Sequence, residues 1–318
     1  MDRRQIEAQL QKNDSTLLSF PSRGEWGSSR YRGNCSGWIQ AFLIWKYQVE
    51  KMAELFAGSG TGSDVAKDMG IKYIGADLNP NPVRDNILSV DAINDDVPEE
   101  FLDADFMFMH PPYGLEIGIP YANSMWKDTT ADKQLAKSDL GQMQWDTFMK
   151  TLNAVVMKYY AAMETGSRMG ILMGDVRRKG VCHSMLKDIV QPGQLDQIII
   201  KAQHNCVSDG RSYAHKNFVP IVHEYIMVIK KLAPYIIDFS LPTKHEIDIR
   251  DSKSATWRDV VMAVMEKLGE ADLDKIYAEI EGHEKCKANE NWQAKVRQTL
   301  QQSPRLQNKA RGVWAVAA

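Results

Sequence analysis

A chain of 318 residues, 44% hydrophobic and 25% charged, has the composition of a folded globular protein and can bury one large core, or one core and a small appendage. Its net charge of −2 argues against a nucleic-acid binder that is basic all over, while leaving room for a local basic face. No apolar run approaches the roughly 18 residues of a membrane helix, Met1–Glu7 lacks the apolar centre of a signal peptide, and Cys35, Cys182, Cys206 and Cys286 are too scattered for a zinc or disulfide framework, so a metal-free protein of the cytoplasm is expected.

Residues 2–13 are polar and predict an outer helix. The Gly, Ser, Arg and aromatic-rich stretch 20–37 has no period and reads as a long loop, a length at which function is common. Trp38–Tyr47 predicts a short apolar helix and 52–57 the first strand. That strand runs into Glu54-Leu-Phe-Ala-Gly-Ser-Gly-Thr61, with Gly58, Gly60 and Gly62 in a turn before a helix. The next strand, Tyr73–Asp77, ends on an acid 19 residues after Gly58. That is close to the roughly 20 residues separating a nucleotide-binding glycine turn from its ribose-binding carboxylate. Glycine lets backbone approach a ligand closely, and a carboxylate at the next strand end accepts from both ribose hydroxyls.

Ser89-Val-Asp91 suggests a third strand end, where Asp91 could accept from an adenine amino group or simply sit in solvent. Residues 105–109 predict a strand buried on both faces. An insertion over 114–145, carrying Tyr121, Trp126 and Trp145, precedes a long helix over 148–163. A strand over 168–174 runs into Asp175-Val-Arg-Arg-Lys179, then a helix over 184–190 and strands over 195–200 and 225–230. Strands alternating with helices predict a mostly parallel, seven-stranded α/β sheet. Residues 232–253 read as a linker between a domain over 1–231 and a small domain over 254–318. The latter predicts three helices and a hairpin, with apolar stripes Leu273, Ile276, Tyr277, Ile280 and Trp292, Val296, Leu300. This is the order of a winged helix-turn-helix.

His110-Pro-Pro-Tyr113 follows the buried strand and so lies at the carboxyl edge of the sheet, where open parallel sheets bind ligands. An exocyclic amine on a planar ring is a poor nucleophile because its lone pair is delocalised. Acceptors at its two hydrogens would free that pair. Residue 110 and the Pro111 carbonyl, stiffened by Pro112, could supply them, and Tyr113 a face for stacking.

Phe56-Ala-Gly-Ser-Gly60 with His110-Pro-Pro-Tyr113 resembles the paired motifs of the DNA amino-methyltransferases. In that family a Phe-x-Gly-x-Gly motif precedes Asp/Asn/Ser-Pro-Pro-Tyr/Phe/Trp. The resemblance covers residues 19–231. It implies a Rossmann-like domain, S-adenosylmethionine as cofactor, and methylation of adenine N6 or cytosine N4 on a base flipped from duplex DNA. Cofactor contacts are then expected from Asn34, Ser36, Glu54, Phe56, Gly58, Gly60, Thr61, Asp77 and Asp91, and catalysis from His110, Pro111, Pro112 and Tyr113. Asn34-Cys-Ser36 is similar to the family segment lying against the methionine part. Residues 254–318, through Thr256-Trp, Asn291-Trp-Gln and Gly312-Val-Trp, resemble the winged-helix (HARE-HTH-like) module attached to chromatin and restriction-modification proteins. Together the resemblances imply a cytoplasmic protein of a bacterial or phage-encoded type.

His110 departs from that family, which has Asp, Asn or Ser there. A neutral imidazole still accepts one hydrogen bond, and a protonated one cannot. The departure leaves the target base open and admits a second reading, a DNA-binding regulator with a degenerate pocket. A third is methylation of RNA or of a protein glutamine. Arg30 and Arg32 in the long loop, Arg177 and Arg178 after a strand end, and Asn291, Gln293 and Lys295 off the apolar stripe of the third C-terminal helix are the candidate DNA contacts. His204 and Asn205 are better read as stabilising their loop.

Overall fold

The computed structural model describes residues 1–31, 33–114, 135–204, 218–232, 239–242, 248–249 and 255–317. Arg32, Tyr121, Trp126 and Asn205 lie outside the described residues, as does most of the segment read as a linker. The chain divides into two compact units, Met1–Pro242 and Thr243–Ala318. No helix among the described residues is long and apolar enough to cross a membrane.

The first unit is an α/β Rossmann-like fold. Its elements are α1 (Arg3–Leu10), β1 (Leu17–Leu18), α2 (Gly37–Tyr47), β2 (Lys51–Leu55), α3 (Thr61–Met69), β3 (Lys72–Asp77), β4 (Ile87–Ser89), β5 (Phe106–Met109), α4 (Trp145–Ala162), β6 (Arg168–Met173), β7 (Asp175–Arg178), β8 (Val181–Ser184), α5 (Met185–Asp188), β9 (Gln191–Pro192), β10 (Gln194–Ala202), β11 (His223–Lys230) and β12 (Phe239–Ser240). The main sheet has the order β1-β10-β11-β6-β5-β2-β3-β4. Only β11 runs antiparallel to its neighbours. The eighth strand, absent from the sequence reading, is the Leu17–Leu18 pair laid parallel on Ile200 and Lys201. Strand order reverses on either side of β2, so the crevice above the carboxyl ends of β2 and β5 is the topological switch point.

The central strands β2, β5 and β6 are covered on both faces, which is why they are continuously apolar. Met107, Met109, Ile171 and Met227 pack under Phe148, Leu152 and Tyr159 of α4. Met52, Phe106, Phe108 and Leu172 pack under α1, α2 and α3 through Leu10, Phe42, Leu43 and Val65. The span 175–184, read as a charged turn running into a helix, is a β7–β8 hairpin. Lys179 (φ +48°) and Gly180 (φ +81°) make its two-residue turn, and the following helix shrinks to Met185–Asp188.

The second unit contains α6 (Trp257–Leu268), β13 (Glu270–Asp272), α7 (Leu273–Ile280), α8 (Glu284–Lys287), α9 (Trp292–Gln302), β14 (Leu306–Ala310) and β15 (Val313–Val316). Thr256 and Asp259 form a reciprocal capping box at the start of α6. The core joins Val260, Val264, Ile276, Ile280, Val296, Leu300 and Trp314. Beyond the three helices and hairpin expected, the unit has the single-turn α8, and β13 pairs with β15 to complete a three-stranded sheet.

Candidate functional site

A cavity opens at the carboxyl ends of β2, β3 and β5. Its floor is the turn after β2. Phe56 takes φ +64°, an outlier for a bulky residue. Gly58 (φ +50°) follows in the left-handed region, and a Cβ there would meet the Tyr31 ring at 3.1 Å. Gly60 (φ +76°) caps α3, but a Cβ there would meet Arg84 and Val83. Gly60 is not in the cavity lining, so its effect on a ligand runs through the shape of the turn.

Asp77 receives the Gly58 N–H at 2.8 Å on one carboxylate oxygen and the Asn79 N–H at 2.9 Å on the other. Burial raises its pKa, and the two backbone donors counter that. Each oxygen keeps a lone pair for a further donor, and Asp77 lines the cavity. Asn34 accepts from the Thr61 hydroxyl at 2.6 Å and donates to the Ser28 carbonyl, which ties the long loop to the glycine turn. Ser36 is the N-cap residue of α2 and donates to the Arg23 carbonyl. It does not line the cavity.

Glu54 is buried beneath α3, bonded by the Gln40 amide and the Tyr73 hydroxyl. Burial pushes its carboxyl up to about 8, so the folded protein holds it protonated at neutral pH. The unfolded chain releases that proton from pH 4.5 upward, so stability from this group is full below 4.5 and is lost as pH rises toward about 8. Glu54→Gln removes that slope. Its melting temperature relative to the native chain is expected to climb across this window. A difference independent of pH would show that Glu54 is ionised in the fold.

Asp91 is turned away from the cavity. Its carboxylate accepts from the Ile93 N–H, the Asn94 amide and the Ser138 hydroxyl, and although burial raises its pKa these donors outweigh it and lower the value. Asp91, expected as an acceptor for an adenine amino group, is not in the lining; the wall beside it is formed by Val90, Ala92 and Ile93, with Leu78 and with Ser138, Asp139 and Leu140 from beyond the insertion.

His110, Pro111 and Pro112 line the same cavity from β5. Burial drives the His110 imidazole down to about 4, with Glu224 opposing and Lys201 reinforcing the shift, so it is neutral at ordinary pH. Tyr113 is not in the lining. Its ring lies against Gly174, where a Cβ would meet it at 3.1 Å, and its hydroxyl donates to Glu224 at 2.9 Å. The Tyr113 ring thus packs against the link between β6 and β7 and not into the cavity.

Arg30 is exposed in the long loop, and Arg177 and Arg178 are exposed on β7, where Arg177 lies over the Phe218 ring at 5.5 Å. Asn291, Gln293 and Lys295 are exposed at the start of α9. The long loop is no plain surface loop. Trp26 is 3% exposed and bonds Asp68 of α3. Among the described residues no cluster of His, Cys, Asp and Glu is placed to hold a metal. Tyr31 of the long loop, a candidate with the loop arginines for binding phosphates or bases, lines the cavity, whereas sequence reasoning missed Lys201 and Glu224 altogether. The one available signal was a Lys and a Glu flanking two apolar strands.

No protein-family model and no curated protein matches the chain. Among solved structures, TrmN from Thermus thermophilus is 17% identical over 63% of this chain and 50% of its own, with TM-score 0.39. A SAM-dependent methyltransferase from Archaeoglobus fulgidus is 14% identical over 61% and 93%, with TM-score 0.32. The 1,6-didemethyltoxoflavin-N1-methyltransferase of Burkholderia thailandensis, with bound S-adenosylhomocysteine, is 11% identical over 61% and 76%, with TM-score 0.32. The chain spans about half the length of TrmN, and its own strand order assigns the fold class.

Proposed function

We propose that the first unit is an S-adenosylmethionine-dependent methyltransferase acting on an exocyclic amine, adenine N6 or cytosine N4, of a base flipped from duplex DNA. One observation carries the reading. The glycine turn after β2 and His110-Pro-Pro112 after β5, adjacent strands at the switch point, open into a single cavity. The residues present fit the cofactor. Asp77 has lone pairs for ribose hydroxyls, Leu78, Val90 and Ile93 offer apolar walls for a purine, and Gly58 keeps the floor free of side chain. The cofactor supplies an electrophilic methyl group on a sulfonium. The chain's own contribution is to hold and polarise. Neutral His110 and the Pro111 carbonyl accept from the amine and draw its lone pair out of the ring.

Sequencing that detects modified bases, applied to DNA from cells expressing the chain, tests this directly. Methylated adenine or cytosine at a repeated site supports it. Unmodified DNA together with methylated RNA or protein glutamine transfers the activity to another substrate. Unmodified DNA and no cofactor affinity would leave the regulator with a degenerate pocket.

The second unit is read as a winged-helix module that contacts the duplex through α9 and its hairpin. Replacing Asn291, Gln293 and Lys295 by Ala in the full chain is expected to weaken duplex binding. Losing the one phosphate-directed lysine should flatten the salt dependence by about one unit of slope. An unchanged slope and affinity in a binding titration across salt would assign the module to a protein partner.

A further inference from the structure

Four side chains from three segments of the first unit, the turn after β5, β10 and β11, form one line. Lys201 of β10 and Glu224 of β11 are direct cross-strand partners and form an ion pair. The other oxygen of Glu224 accepts the Tyr113 hydroxyl at 2.9 Å. The Tyr113 oxygen lies 3.3 Å from Nε2 of His110. Gly174 of the β6–β7 link makes the room, since a Cβ there would press on the Tyr113 ring at 3.1 Å.

The donors can be followed along this line. Tyr113 has one hydroxyl proton, and it is given to Glu224. Its oxygen can then only accept from His110, so Nε2 carries the imidazole proton. In a neutral imidazole the other nitrogen is then the lone-pair acceptor. Nδ1 has no hydrogen-bond partner among the described residues, and His110 lines the cavity. Reversed, with the proton on Nδ1, the same ring would present a donor to an amine that needs an acceptor.

We propose that Glu224, held by Lys201, sets the tautomer of His110 through the Tyr113 hydroxyl and so presents Nδ1 as the acceptor for the substrate amine. Glu224, Lys201 and Tyr113 are positioning residues, and His110 is the group that touches substrate. This rests on the methyltransferase reading for its consequence, but not for its geometry. A purely stabilising role explains the line less well. A buried ion pair loses in desolvation much of what it gains in attraction, so apolar residues would serve stability as well. Glu224 is 7% exposed, yet Lys201 keeps its pKa below the usual carboxylate value against the opposing effect of burial. An ionised acceptor is what obliges the Tyr113 hydroxyl to point away from His110. An Asp, Asn or Ser at position 110 would need no such line, because its acceptor oxygen has no tautomer to choose.

The test is nitrogen NMR of the full-length protein labelled at histidine, with the His110 signal identified by its loss in His110→Asn. The native chain is expected to show a protonated, pyrrole-type Nε2 and an unprotonated, pyridine-type Nδ1. The double substitution Lys201→Met with Glu224→Leu removes the pair together, so neither charge is left buried alone. The Tyr113 hydroxyl then turns to donate to Nε2, and His110 is expected to move to the Nδ1–H form. Single-turnover methyl transfer should fall roughly 10²-fold, within the range for a positioned proton-handling group, while calorimetric affinity for S-adenosylmethionine stays unchanged. Tyr113→Phe cuts the line at another point. It should also disturb the His110 tautomer, which guards against a double variant that fails to fold. An Nδ1–H tautomer in the native chain, or a folded double variant with an unmoved His110 signal, overturns the proposal. If the tautomer switches as expected but the native chain methylates nothing, the positioning line stands and the methyltransferase reading is what fails.

Discussion

His110→Ala is expected to lower the single-turnover rate of methyl transfer by roughly 10²- to 10⁴-fold, with cofactor affinity intact in calorimetry. His110→Asn, which keeps an acceptor oxygen, should retain much of the rate. The structure changes where the pH dependence falls. An unperturbed histidine would place an acid limb near pH ~6.5, but burial takes His110 down to about 4. The active form is the neutral one, so the rate per folded molecule should stay flat from neutral pH down to near 4 and fall below it. Stability follows the same group. Its folded pKa is depressed from 6.5, so the stability it contributes is present above 6.5 and is lost as pH falls through the window to about 4. His110→Asn should flatten that loss in a denaturation series. An Ala variant with close to the native rate would leave polarisation to the Pro111 carbonyl alone. A limb near 6.5 in folded protein would mean that His110 is solvated.

Gly58→Val should cost cofactor affinity roughly ten- to a hundredfold. The strain of a non-glycine residue in a disfavoured backbone region is about 1–3 kcal/mol; it returns as lost affinity here because the turn at Gly58, which lines the cavity, relaxes away from the binding shape to escape it, and each 1.4 kcal/mol is about tenfold. The backbone there is at φ +50°, and the added atoms enter the cavity against Tyr31. Gly60→Val should act differently. Its φ of +76° is also strained, but its side chain would press on Arg84, which pairs with Asp64 of α3. That variant should lose stability as well as affinity. Gly70→Ala is the control. It shares the left-handed backbone (φ +68°) with no heavy atom within 4 Å of the added Cβ, so it should lose some stability and no affinity. A folded Gly58→Val with native affinity for S-adenosylmethionine would remove the turn from the cofactor site.

Sequence alone determined what depends on neighbours a few residues apart. The 19-residue interval from Gly58 to Asp77 is one strand–helix–strand unit, and the structure closes it with the Gly58 N–H on the Asp77 carboxylate. The continuous apolar runs implied a sheet covered on both faces, and the stripes through Ile276, Ile280, Val296 and Leu300 marked the core of the second unit. Both are periodic signals read within a single element. The tertiary structure decided everything that needed two distant segments. It turned Asp91 onto Ser138 and left its apolar neighbours at the cavity. It buried Trp26 of the long loop against Asp68 of α3. It placed Tyr113 on Glu224, 111 residues away, and so decided which nitrogen of His110 is free to accept. Spacing along the chain carries no trace of such a contact, because it arises from the pairing of β5 with β6 and of β6 with β11 in the sheet. Those are set by the burial of whole faces rather than by any local pattern.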